Sequence, residues 1–446
     1  MKLKSLIIGT AAALSVASMA IADRGSDGHV NIIYWQAPSI LNPYLSGGTK
    51  DVESSSMIIE PLARYNQDGE LTAWLVNEIP TVANGGVSAD LMSITWNITP
   101  GIKWSDGSAF TAHDVVFSGN YCMDPDGGCA QSNKLADVAN IEALDDLTVK
   151  VTFSVAKPFP YGPFVGAEQP IIQKAQFADC MGAKAPECTA ENFGPIGTGP
   201  FVVTDFKAND VITMEANPHY RDASKPAFAS VTFKGGGDAA AAARSVLETG
   251  EFDYAWNLQI DPTILANMAA VGKGTVISSF GTATERLMVN LSNPDPALGD
   301  LRSTLEGGPH PFLTDAAVRR ALSVSIDRNL LAEVGYGAAG KATCNIVPGP
   351  AIYVSTANDE CLVQDIAKAN NILEAAGWQR GSDGIRAKDG VRLSILYQTS
   401  TNAVRQDTQA MVKQWWSEIG VETELKNISA SVFFGGDQSS PDTYQK

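Results

Sequence analysis

Residues 391–397 alternate apolar and polar side chains, residues 404–419 switch to helical spacing, Gly420 stops the helix, and alternation returns over 421–425. Two strands joined through a helix pair in parallel with a right-handed crossover, so this part of the chain must belong to an α/β layer structure. The same alternation of periods recurs upstream, without internal repeats or low-complexity linkers. Ile94, Trp96 and Ile98 read as one half-buried strand, and Val149, Val151, Phe153 and Val155 as another. Between them Trp104-Ser105-Asp106-Gly107 is a turn, and Thr111 with Asp114 three residues on is a capping-box start to a helix that runs toward Cys122. Asp238 caps an Ala-rich helix over 239–248, Gly250 ends it, and Phe252, Tyr254 and Trp256 follow as a strand. One helix is predicted after Thr314, with Val318, Ala321, Leu322 and Ile326 on its inner face and Gly335 as its stop; another spans 365–376 and ends at Gly377.

At 446 residues the chain has length for about two to four domains. With 44% apolar and 18% charged residues it is neither disordered, collagen-like nor a multi-span membrane protein. The 49 acids exceed the 32 Lys and Arg, and no basic run offsets them locally, which disfavours nucleic acid and anionic lipid as partners. The first residues read as an export signal. Lys2 and Lys4 precede an apolar run from Leu6 to Val16, and Ala20-Ile21-Ala22 supplies small residues for a cut before Asp23. The run is too short to span a bilayer, and no Cys at the cut can accept a lipid, so residues 1–22 are expected to be removed and the product released into an exported, periplasmic compartment. At the other end, residues 430–446 hold the apolar run Val432-Phe433-Phe434 and a turn but no closing helix or strand, which predicts further chain beyond Lys446.

Six cysteines agree with an oxidising compartment and fall into three local couples, Cys122/Cys129, Cys180/Cys188 and Cys344/Cys361. Six allow 15 connectivities; neighbour pairing is the expectation because each couple brackets a turn-rich stretch. A metal site is the alternative, but zinc-like spacings are missing and His29, His113, His219 and His310 form no ligand pair. Neither a metal nor a cofactor is expected. The nucleophile-elbow, zincin, P-loop and complete dinucleotide-binding motifs are all missing from the sequence. Gly197-Thr198-Gly199-Pro200 resembles a phosphate cradle only superficially and reads as a tight turn into a strand from Phe201. Aromatic residues near turns, Trp35, Tyr44, Trp104 and above all Trp256, point to a binding protein of unspecified ligand.

The order of short motifs is more specific. Ser39-Ile40-Leu41-Asn42-Pro43, Ile59-Glu60-Pro61-Leu62, Gly101-Ile102-Lys103-Trp104-Ser105-Asp106-Gly107 and the stretch from Phe110 to Ser118 come first. Gly197-Thr198-Gly199-Pro200-Phe201, Ala216-Asn217-Pro218-His219-Tyr220-Arg221, Val318-Arg319-Arg320-Ala321-Leu322 with Ile326-Asp327-Arg328, and Ala375-Ala376-Gly377-Trp378 follow. This order resembles the family 5 extracellular solute-binding proteins, the peptide-, dipeptide- and nickel-binding components of bacterial ABC importers. The resemblance implies an α/β, two-lobed type II periplasmic-binding-protein fold with an extra α+β subdomain and a ligand cleft between the lobes. By that analogy lobe I takes residues 23–60 and 190–285, the small subdomain 61–189, and lobe II 286–446, with a return to lobe I still to come.

The same resemblance implies a non-enzymatic monomer that captures an extended peptide by hinge closure and delivers it to the importer's permease. The same fold holding an oligosaccharide, opine or nickel chelate is the nearest rival, and an exported hydrolase or a chaperone-like surface protein are rivals of another class. Gly47-Gly48-Thr49 matches the loop where lobe I backbone meets the peptide, and Trp256 and Asn257 match a cleft-facing loop. Peptide binders of the family hold the ligand's ammonium with an Asp in a late Trp-x-x-Asp motif. Asp437 is the candidate for it here, although no Trp precedes it, and the resemblance implies an anchor beyond Lys446. Arg319 and Arg320 match a structural helix rather than carboxylate partners.

Overall fold

The computed structural model describes residues 23–66, 68–278, 284–349, 354–435 and 440–443. The export signal and Asp437 lie outside the described residues. The first body is built on a five-stranded sheet in the order Tyr254–Trp256, His29–Tyr34, Ser230–Gly235, Val211–Ala216, Phe201–Lys207. The first three run parallel and the last two join antiparallel. The Asp238 carboxylate accepts the Ala241 N–H at 2.7 Å and starts the helix Ala239–Arg244; the turn widens over Ser245–Thr249 and ends at Gly250 in the left-handed region. That helix and Pro262–Ala269 cover one face, where Ile33, Trp35, Ala242, Ala243, Leu247 and Met268 are buried together.

The opposite face continues without a break into the region between residues 41 and 185. There the strands Ser93–Asn97, Thr148–Phe153 and Val138–Asp145 form an antiparallel sheet in that order. The helix Ala112–Met123 packs on it after Asp114 accepts the Thr111 N–H at 2.9 Å. Tyr44, Trp96 and Trp104 are each at most 1% exposed in this core. Tyr44 and Trp104 are therefore packing residues, as buried aromatics usually are, because their turns fold inward against the sheet. Trp35 is likewise buried, at 6%.

The second body holds its own core of Phe312, Val318, Leu322, Leu373, Trp378, Val412 and Trp416. Strands Ser394–Ser400 and Glu422–Ile428 pair in parallel across the helix Ala403–Glu418, as the sequence period requires. Two details differ from expectation. The predicted single helix after Thr314 is two, Ala316–Val324 and Arg328–Tyr336, because the Asp327 carboxylate accepts the Leu330 N–H at 3.0 Å and begins a second helix. Gly335 sits inside that second helix, and Gly337 in the left-handed region follows its end. The predicted strand over 391–397 breaks at Leu393: Val391–Arg392 pairs with the hairpin strand Arg386–Lys388, and Ser394–Ser400 with Glu422–Ile428. Disulfides join Cys122–Cys129, Cys180–Cys188 and Cys344–Cys361, with Cα separations of 5.1, 5.8 and 6.0 Å. No helix among the described residues is long and apolar enough to cross a membrane.

Three of the motif stretches meet at Glu60, which is 2% exposed. Its carboxylate accepts from Trp74 Nε1 at 2.7 Å, Thr198 Oγ1 at 2.9 Å, and the Arg221 guanidinium at 2.7 and 3.2 Å. The glycines of the Gly197-Thr198-Gly199 turn lie on the Ile58 carbonyl, where a Cβ at position 197 would come within 1.8 Å of oxygen. Gly199 donates to that carbonyl at 2.8 Å, and Asn217 Nδ2 donates to the Gly199 carbonyl at 2.8 Å. The superficial phosphate cradle is thus a backbone crossing that ties the first body together.

Candidate ligand-binding crevice

Parallel strands leave a crevice outside their carboxyl ends, where loops diverge and backbone groups lack sheet partners. In the first body these ends are Tyr34, Gly235 and Trp256; in the second they are Ser400 and Ile428. The segments leaving them meet. Gln259 Oε1 accepts from Asn402 Nδ2 at 2.8 Å, and Gln259 Nε2 donates to the Tyr336 hydroxyl at 3.2 Å. Arg405 forks onto Glu285, with Nε to Oε1 and Nη2 to Oε2 both at 3.1 Å, and its Nη1 donates to Ser400 Oγ at 3.0 Å. The Tyr336 hydroxyl donates to Glu285 at 3.4 Å; burial first, and then the Glu285 carboxylate, push that hydroxyl up to about 12.

Each candidate among the described residues has a specific setting. Asn42 fixes the approach to Gly47-Gly48-Thr49: its Oδ1 accepts the Tyr44 N–H at 3.1 Å, and its Nδ2 donates to Tyr121 and Asn192 at 3.1 and 2.9 Å. Gly47 is half-buried, Gly48 buried and Thr49 exposed. Gly48 has ordinary extended backbone, and its need for glycine is one of room, since a Cβ would lie 3.2 Å from Asp51 Oδ2 and 3.4 Å from Ser46 Oγ. Behind the loop lies a buried ion pair that sequence reading missed. Lys50 and Asp51 are at most 1% exposed and 2.7 Å apart, and Asp51 also accepts from Ser46 Oγ and the Ser39 N–H, each at 2.6 Å. Adjacent opposite charges carry no sequence signal that distinguishes this pair from a solvated one.

Trp256 is half-buried and stacks on Tyr34, ring centroids 4.8 Å apart and planes inclined by 17°. Asn257 follows in the left-handed region, which Asn tolerates, and its carbonyl accepts from Trp35 Nε1 at 2.9 Å. The Tyr34 hydroxyl donates to Glu53 Oε2 at 2.5 Å, and Glu53 lies on the helix Thr49–Ser55 that leaves the glycine loop. The two loops picked from sequence are therefore linked through Tyr34 and Glu53, neither of which had a motif to reveal it. Arg319 donates to the Leu313 carbonyl and Arg320 pairs with Glu360, both structural roles. Cys180, Cys188 and Glu191 bring three donor atoms within 4.8 Å of one another, but both sulfurs are spent in a disulfide and offer no thiolate.

Comparison with known proteins agrees with this architecture. The family description "Bacterial extracellular solute-binding proteins, family 5 Middle" matches residues 74–444. Protein XP55 of Streptomyces lividans is 28% identical over 414 residues, which cover 92% of this chain and 69% of that protein. The oligopeptide-binding protein AppA from Bacillus subtilis, in complex with a nonapeptide, superposes with a TM-score of 0.72 at 20% identity, over 92% of this chain and 76% of that one. NikZ from Campylobacter jejuni in complex with Ni(L-His) gives 0.72 at 22% identity, over 92% and 75%. The fold is the two-lobed type II periplasmic-binding-protein architecture. A match across 371 of 446 positions, together with this architecture, makes the chain a member of the family 5 bacterial extracellular solute-binding proteins.

Proposed function

We propose that the chain is the exported, periplasmic substrate-binding component of an ABC importer for extended oligopeptides. The observation that carries this reading is the meeting of two sets of parallel-strand carboxyl ends across one crevice bridged by side-chain hydrogen bonds. In such a crevice the ligand's amides pair with loop backbone at Gly47, Thr49 and Asn257, while side chains enter hydrated space beside Trp256. Backbone pairing makes affinity tolerant of peptide sequence. Closure of the two bodies on the peptide shifts the population toward the form that the permease engages, by as much as the peptide prefers that form. No bond is made or broken. In this reading lobe I comprises 23–60 and 190–285, the subdomain 61–189 and lobe II 286–446; the unbroken core between subdomain and sheet supports attaching the subdomain to lobe I.

Native mass spectrometry of the complete gene product from an oxidising compartment, followed by thermal melts with a broad peptide mixture, tests the reading. A ladder of co-purified short peptides is expected, with about 2.7 kcal/mol of stabilisation at ligand concentrations of roughly 100 Kd. A single non-peptide mass, or stabilisation only by a sugar, opine or nickel chelate, would overturn the peptide assignment within the same family.

A further inference from the structure

Beside the glycine loop, one carboxylate is left without a counter-charge. Glu53 takes the Tyr34 hydroxyl at 2.5 Å on Oε2, and among the described residues no Lys, Arg or His pairs with it. Tyr34 and Trp256 are register partners on adjacent parallel strands, as are Ile32 and Tyr254, so the three aromatic rings share one face of the sheet. Tyr34 is 5% exposed and closes the inner side; Tyr254 is 50% exposed and stands at the rim, where its hydroxyl feels the Glu53 charge. A partly desolvated carboxylate lacking a cation costs folding free energy, whereas aromatic faces beside it favour a cation.

We propose that Glu53, walled by Tyr34, Tyr254 and Trp256, is a subsite for a cationic group of the ligand, an alkylammonium or alkylguanidinium. It deepens the reading above and rests on it only for the peptide that carries the group. Burial also holds the Glu53 carboxyl above the usual carboxylate range, with the Tyr34 hydrogen bond opposing the shift; a cation beside it would favour the charged form.

Isothermal titration of the full-length protein and its Glu53→Gln variant tests the assignment with four probes. These are agmatine, Ala-Lys-Ala, its norleucine counterpart and N-acetyl-Ala-Lys-Ala. Gln keeps an acceptor for Tyr34, so the variant folds, and a circular-dichroism melt verifies it; Trp256→Leu is the second variant. Loss of about tenfold or more in affinity for agmatine and for the cationic peptide is expected, with the neutral comparator within about twofold. If the cation is the side chain, norleucine removes the dependence on Glu53; if it is the terminal ammonium, acetylation removes it. Equal weakening of charged and neutral probes, or no change, overturns the subsite while leaving peptide binding intact. Glu53-dependent binding of agmatine with no peptide bound overturns the peptide reading and keeps the subsite. A wild-type protein that binds neither overturns both.

Discussion

His310 illustrates how a single buried residue sets a pH limit. It is 8% exposed, and its Nδ1 accepts the backbone N–H groups of Leu313 at 3.0 Å and Phe312 at 3.3 Å. Burial holds the imidazole below its ordinary value of 6.5, and protonating Nδ1 would turn an acceptor into a donor facing two donors. With the folded pKa depressed, the stabilisation is present above the unfolded pKa and is lost as pH falls through about 6.5 and then through the folded value. The melting temperature should therefore decline with acidification in that window. His310→Asn, which offers an oxygen acceptor that does not titrate, should flatten the decline; an unchanged slope would remove His310 as its cause.

At the scale of elements, the Glu60 crossing ties distant stretches of the first body together, whereas Asp327 starts one helix of the second. Glu60→Ala would strip the partner from Arg221 and leave the Trp74 and Thr198 donors facing a cavity. Breaking a buried pair in this way should cost about 3 kcal/mol, visible as a lowered urea midpoint with m unchanged. Because Arg221 also lies over the Trp74 ring, centroid distance 4.9 Å, Arg221→Lys with Glu60 intact should still be less stable than the native protein; native stability in that variant would reduce the guanidinium's role to its charge alone. Asp327→Ala removes a cap and should cost about 1 kcal/mol, concentrated in hydrogen exchange of the helix Arg328–Tyr336 rather than of Ala316–Val324.

For the whole molecule, the two bodies meet through the Arg405–Glu285 fork and the Gln259–Asn402 bond, with Ala430 packed against the core of the first body. Arg405 is 17% exposed and Glu285 46%, so their fork is worth less than a buried pair. At roughly 0.5–1.5 kcal/mol per hydrogen bond, losing both this fork and the Gln259–Asn402 bond should favour separated bodies by about tenfold or more. Glu285→Gln combined with Asn402→Ala is expected to enlarge the ligand-free radius of gyration in small-angle scattering; an unchanged radius would mean that other contacts set the arrangement. The disulfides act locally, closing loops of 7, 8 and 17 residues. A loop of about 15 residues is worth near 3 kcal/mol in the chain-entropy account. Reduction should therefore lower the melting temperature, and thiol counting on the oxidised protein should find no free Cys.

Sequence by itself determined the elements whose causes are local. The strand, helix and strand leading to the Ser394–Ser400 and Glu422–Ile428 pair follow from side-chain period, and the caps at Asp114 and Asp238 from residues one turn apart. Neighbouring cysteines bracketing turns pair with each other for the same reason. What escaped was decided by groups far apart in the chain. Glu60 gathers Trp74, Thr198 and Arg221 from three separate stretches, and Tyr44 and Trp104 pack in one core with Trp96; the Asp327 cap is the local exception, a start signal inside one predicted helix. Gly47-Gly48-Thr49 and Trp256-Asn257 could be chosen as loops from sequence. That Glu53 and Tyr34 join them depends on a helix crossing a strand end, and that Asn402 and Arg405 face Gln259 and Glu285 depends on how two separately cored bodies meet. Periodicity and caps are one-dimensional signals; a binding crevice is made by side chains brought together across hundreds of residues, and only the packed chain determines which of them meet.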